Sequence, residues 1–91
     1  MSARTFTRSK DALSSIVAGE VVLMSPRSGE YFGLQDVGAV VWDELGKGQR
    51  SLDQLIERVL SEYDADEDLV REDLNELLGA LEAKRLIERH G

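Results

Sequence analysis

The chain has 91 residues, no cysteine and a formal net charge of −7 at neutral pH. A chain of this length forms one small domain that buries roughly 60–65% of its unfolded surface, so nearly all its elements must share one core. Without cysteine, disulfides, thiolate catalysis and zinc–sulfur sites are excluded. The acidic balance argues against duplex DNA, which is bound chiefly by Lys and Arg on phosphates.

No apolar run approaches the length of a membrane span. The start, Met-Ser-Ala-Arg-Thr-Phe-Thr-Arg-Ser-Lys, is basic and polar and lacks the apolar stretch of a signal peptide. These features predict a cytoplasmic protein with no membrane and no nucleic-acid partner.

In chain order, residues 1–10 read as a flexible N-terminal arm that could touch the body through Phe6, and residues 11–91 as a single domain. Leu13 to Val17 reads as a first strand, with Ala18-Gly19 as its turn. Glu20 to Ser25, rich in β-branched and apolar residues, is a second strand. Ser25-Pro26-Arg27-Ser28-Gly29 is a turn, with Pro fixing φ and Gly free to take φ > 0. Glu30 to Leu34 pairs back as the third strand. Connections this short force antiparallel pairing. The order 1-2-3 leaves the third strand at an edge.

Helices follow. Asp36 reads as the N-cap of a first helix over Val37 to Leu45, ended by Gly46-Lys47-Gly48. Ser51 with Gln54 is a capping box that opens a second helix ending near Tyr63. A third helix runs from near Asp66 to about Lys84, with Val70, Leu74, Leu77, Leu78 and Leu81 as its core stripe. Leu86-Ile87-Glu88 is a short extended tail. The expected fold class is α+β: a three-stranded antiparallel sheet followed by three helices, winged helix-turn-helix-like.

Catalytic and metal chemistry finds little support. Asp64-Ala65-Asp66-Glu67-Asp68 imitates the start of a calcium loop. Leu69 and Asn75, however, stand where that loop needs Gly and Glu. Acids at a helix start, favoured by the dipole, are the simpler reading. His90 is the only histidine and sits beside the C-terminus. Gly29, Gly33 and Gly38 are followed by no Gly-Lys-Ser or Gly-Lys-Thr and make no phosphate loop. Ser51 follows Arg50 and already serves as a cap, which argues against a carrier with an arm on serine. The chain is therefore expected not to be an enzyme and to hold no metal and no cofactor.

The informative stretch is Glu30 to Trp42, an aromatic strand running straight into a helix. The strand carries no Pro or Lys to guard it, so its free backbone groups are open to another strand. Side chains alternate along it, with Phe32 and Leu34 on the core face and Tyr31 and Gly33 on the other. Tyr31 reads equally as a half-buried aromatic or a binding group, and Gly33 as a close approach or a bulge. Beside its core stripe the third helix has a second one: Asp66, Leu69, Asp73, Glu76 and Ala80. On composition alone this is a solvated face. Read functionally, it is a wall of a groove for an extended peptide that pairs with the third strand.

The pattern Tyr31-Phe32-Gly33-Leu34-Gln35-Asp36-Val37-Gly38, with Trp42 following, resembles the PqqD-like family. So do the Ser-led second helix and the acidic third helix with its Leu86-Ile87-Glu88 tail; the likeness covers roughly residues 15–88. Such proteins are recognition elements for ribosomally made, post-translationally modified peptides (RiPPs). The Tyr-Phe-Gly-Leu and Val-Gly-x-x-x-Trp features are most similar to the free-standing elements of lasso-peptide pathways.

The resemblance implies a leader peptide bound as an added strand between the third strand and the third helix. It implies delivery to a transglutaminase-like leader peptidase and a macrolactam synthetase. The peptide-binding residues it implies are Tyr31, Phe32, Gly33 and Leu34 on the strand. On the helix they are Leu69, Val70, Asp73 and Leu74, placed by position more than by motif. A leader motif Tyr-x-x-Pro would ask for an apolar pocket. Gln35 stands where many relatives have Asn. The alternatives are a pyrroloquinoline-quinone-type peptide chaperone, whose strand usually lacks the aromatic pair, and a winged-helix DNA-binding regulator. A homodimer paired along the same edge is a further partner for this strand.

Overall fold

The computed structural model describes residues 4–91. The strands are β1 (Thr5–Arg8), β2 (Leu13–Val17), β3 (Glu20–Met24), β4 (Tyr31–Leu34), β5 (Arg50–Ser51) and β6 (Ile87–His90). The helices are α1 (Val37–Leu45), α2 (Leu52–Glu62) and α3 (Glu67–Ala83). Two three-stranded antiparallel sheets result, in the orders β2-β3-β4 and β5-β1-β6. The architecture is α+β and winged-helix-like, with β2-β3-β4 as the expected sheet and β4 at its edge.

The second sheet departs from the expected arm. Residues 1–3 lie outside the described residues, but Thr5–Arg8 is a strand lying between β5 and β6. Phe6 is buried in the core with Leu86 and Ile87. The physical reason is long-range. β1 has no hairpin partner beside it and is completed by the far end of the chain, with Thr5 opposite His90 and Arg8 opposite Ile87. Arg8 adds a tie to α1: its guanidinium stacks 4.4 Å from the Trp42 ring centroid, and its Nε donates to the Trp42 carbonyl at 3.0 Å. Burial lowers its pKa, although Arg remains charged in proteins.

The β2–β3 turn is Ala18-Gly19, both with positive φ (53° and 82°). That is the geometry a two-residue hairpin needs to match strand twist. Leu23, Leu34, Val41, Trp42, Leu45, Leu55, Val59, Leu74, Leu78 and Leu81 belong to one buried cluster shared by the β2-β3-β4 sheet and all three helices.

Helix starts follow the sequence at two positions out of three. Ser51 Oγ accepts from Gln54 N at 3.1 Å, and Gln54 Oε1 accepts from Ser51 N at 2.8 Å, completing the capping box. The Asp66 carboxylate accepts from the Asp68 and Leu69 amides. Asp36, expected to cap α1, makes no side-chain capping bond. It takes a positive φ of 51° as the chain leaves β4, and its carbonyl accepts from Val40 N at 3.1 Å. With ψ at −118° and Gly38 N donating to the Gln35 carbonyl at 3.0 Å, Asp36 is the first central residue of a type II′ turn, a class dominated by Gly, Asn and Asp.

Glu44 joins α1 to β5 and α2. Its carboxylate accepts from Arg50 and Arg58, each at 2.7 Å, and pairs with Lys47 at 3.4 Å. These contacts, Arg50 first and then Arg58, hold its carboxyl down to about 2.

Candidate functional site: an open strand edge beside an acidic helix

β4 pairs only with β3, in the register Met24 opposite Tyr31, Val22 opposite Gly33 and Val21 opposite Leu34. Ser25 N donates to the Glu30 carbonyl at 2.9 Å. Antiparallel pairs alternate between hydrogen-bonded and non-bonded. Phe32 and Leu34 therefore spend their backbone groups on β3, while Tyr31 and Gly33 turn theirs to the open edge. The register continues through Gly33, so this glycine is not a bulge. A Cβ built there would lie 2.5 Å from Glu20 Oε2, which also accepts from Gln35 Nε2 at 3.1 Å. The lack of a side chain leaves room for the Glu20 carboxylate on the outer face.

The side chains of β4 fall as the alternation predicts. Leu34 is buried, and Phe32 is half-buried against the core. Tyr31 is 70% exposed on the outer face and is not the half-buried aromatic that was one of its two readings. On α3, Leu69 is 63% exposed and Asp73 is exposed, while Val70 and Leu74 are buried in the core. The eight residues singled out by sequence thus divide in two. Leu34, Val70 and Leu74 join strand and helix through one core, and Phe32 packs against it. Tyr31, Gly33, Leu69 and Asp73 face solvent, where a ligand could meet them.

Two residues of this region were not singled out as binding residues. Leu77, assigned to the core stripe, is only half-buried. It follows Asp73 by one turn and lies on the same side of α3. Lys84, the residue that ends α3, places its ammonium 5.2 Å from the Phe32 ring centroid. A pattern of apolar residues carries no signal for a cation–aromatic contact between a helix end and a distant strand. Ser25 Oγ donates to the Lys84 carbonyl at 3.4 Å and brings the turn before β4 to the same helix end.

α3 is a poor reader of phosphates. Its only basic residue, Arg71, is paired with Asp53 at 3.1 Å and with Glu67 at 3.5 Å, contacts that raise its pKa. Among the described residues no group of three or more His, Cys, Asp or Glu side chains is placed to hold a metal ion. No described helix is long and apolar enough to cross a membrane.

The fold is that of a winged-helix-like α+β domain whose aromatic strand β4 leaves one side of its backbone open. Residues 20–87 match the family described as Coenzyme PQQ synthesis protein D (PqqD), and the chain belongs to that family. It is also similar to the solved structure of TbiB1 in complex with the TbiA(beta) leader peptide. The two share 35% sequence identity with a TM-score of 0.81, over 90% of this chain and 94% of that one. No curated protein matches the chain.

Proposed function

We propose that this chain is a non-catalytic recognition protein that binds the leader of a ribosomally made precursor by strand addition to β4. The observation that carries the reading is the β4 edge. Tyr31 and Gly33 offer unpaired backbone groups, and the strand shares a core with a helix that exposes Leu69 and Asp73. Main-chain pairing would supply register, and side-chain pockets would supply choice. The similarity to TbiB1, solved with a leader peptide bound, supports the same use of this fold.

The Tyr31-Phe32 pair favours a lasso-peptide pathway over a pyrroloquinoline-quinone-type chaperone, with Tyr31, Gly33, Leu69 and Asp73 meeting the leader and Phe32, Leu34, Val70 and Leu74 holding strand and helix in place from the core side. In that pathway the complex is handed to a leader peptidase and a macrolactam synthetase. The lone, ion-paired cation of α3 disfavours a DNA-binding regulator.

A short disordered leader must offset its own ordering cost. Its expected dissociation constant lies between micromolar and nanomolar, about −8 to −12 kcal/mol. The test is binding of the fluorescently labelled leader of the cognate precursor, with a scrambled peptide as control. Tight binding of the leader alone supports the reading. Equal binding of both peptides, or of neither by folded protein, sinks it.

A further inference from the structure

A cavity of about 780 Å3 opens between the β1–β2 connection, the turn before β4, the end of α3 and β6. Lys10, Arg27, Arg85 and Arg89 line it, against Asp11, Glu82 and Glu88. Four of the chain's eleven cations and only three of its eighteen acids are therefore here, and this end is positive in an otherwise strongly acidic molecule.

Most of these cations lack an ion-pair partner. Arg89 is paired with Glu82 at 3.0 Å, but Lys10, Arg27, Arg85 and the adjoining Lys84 have no ion-pair partner among the described residues. Elsewhere in the molecule Lys47, Arg50, Arg58 and Arg71 are paired, and Arg8 is held by the Trp42 ring and carbonyl. A helix C-terminus favours nearby cations, which accounts for Lys84 and Arg85. Lys10 and Arg27 come from other segments, so that effect does not explain the cluster.

The cluster approaches β4 through two residues. Lys84 stands over the Phe32 ring, and Arg27 belongs to the turn that leads into Tyr31. Glu30 is the acid nearest in sequence on this side. At the other end of β4 the charges are Glu20, whose carboxylate lies over Gly33, and Asp36, both acidic. A backbone edge alone accepts a strand in either direction. Along this edge the Tyr31 end carries Lys84 and Arg27 beside Glu30, whereas the charges at the Leu34 end are the carboxylates of Glu20 and Asp36.

Building on the strand-addition reading, we infer that the basic end receives the carboxylates of an acidic flank of the bound leader and so fixes the direction in which its strand lies on β4. Asp or Glu should occur within about four residues of the paired stretch, given a rise near 3.3 Å per extended residue. That flank leaves the groove beside Lys84 and Arg27. An acidic flank laid the other way would meet Glu20 and Asp36 instead.

The experiment compares wild type with Arg27→Glu/Lys84→Glu and, as a second variant at an exposed site, Lys10→Glu. Two probes are used: the labelled cognate leader, and the same peptide with its flanking Asp and Glu changed to Asn and Gln. The double reversal is expected to weaken the native leader about tenfold and the neutralised leader less than twofold, the scale of a few exposed ion pairs. Lys10→Glu should give a smaller loss with the same preference, and raised salt should remove the advantage of the native leader. Equal losses for both probes, or no loss, overturn the inference while leaving strand addition intact. No binding of either probe to wild type overturns both.

Discussion

β2 and β4 border the same sheet, and each leaves one side of its backbone without a neighbouring strand. β2 is exposed at all five positions, with Ile16 at 77%. β4 instead sends Leu34 into the core and rests Phe32 against it. The hydrogen-bonding capacity is alike, but the support is not. An incoming chain on β4 would find an edge backed by the shared core, whereas on β2 it would find an exposed hairpin strand whose Ser14, Ser15 and Ile16 border a cavity with Ala39, Trp42 and Asp43 of α1. What distinguishes the two edges is the packing beneath each strand.

The largest expected effect tests that support. Leu34→Ala should destabilise the fold by about 2–5 kcal/mol, the usual cost of emptying a buried leucine site. Ile16→Ala, at the exposed edge, should stay within about 0.5 kcal/mol. Urea unfolding of both variants gives the comparison, and equal losses would mean that β2 is as well anchored as β4.

Next in size is the helix beside the strand. Leu69→Arg and Asp73→Lys alter exposed positions, so both variants should keep the wild-type circular dichroism spectrum. Each should weaken leader binding about tenfold, or 1.4 kcal/mol. Unchanged affinity in both would remove α3 from the binding surface and leave the β4 backbone alone to carry recognition.

The two edges can then be set directly against each other. By the alternation of pairing, the outward backbone groups are those of Tyr31 on β4 and Ile16 on β2. Proline at a strand edge removes one donor without cutting the inner ladder. Tyr31→Pro should cost one net hydrogen bond to the leader, about 0.5–1.5 kcal/mol, or 2–12-fold in affinity. Ile16→Pro should leave the affinity unchanged. The opposite pattern, read by titrating the labelled leader, would move the binding edge to β2.

The β2–β3–β4 hairpins and all three helices were legible in the sequence because their signals are local. Turns at Ala18-Gly19 and Pro26 to Gly29, the Ser51–Gln54 box and apolar stripes at helical spacing each act within a few residues. The β5-β1-β6 sheet was not legible, because Thr5–Arg8 finds its partners at Arg50–Ser51 and Ile87–His90. A short run of Thr, Phe and Arg carries no mark of a partner some eighty residues away. Asp36 misled for a related reason: its residue type suits a cap, but the path of the chain out of β4 gives it a positive φ instead. The candidate site was legible as a strand and a helix. Its charge polarity was not, since Lys84, Arg27 and Lys10 are gathered from three separate segments.

The smallest expected effect asks whether the binding edge is independent of the helical scaffold. The Glu44 carboxyl sits near 2 in the folded protein, below the ordinary value of 4.5, because Arg50 and then Arg58 stabilise its charged form. A lowered pKa means that the unfolded chain takes up this proton first as pH falls. The stability it contributes is complete above about pH 4.5 and is lost progressively as pH drops toward 2. Glu44→Gln should therefore flatten this part of the acid limb in a plot of unfolding free energy against pH. Leader binding at neutral pH should not change, because Glu44 ties α1 to Arg50 and α2 and touches neither strand edge. A loss of affinity in Glu44→Gln at neutral pH, with the fold intact, would show that the position of β4 depends on the packing of α1 against α2. The edge would then be a poised element of the scaffold and not a fixed one.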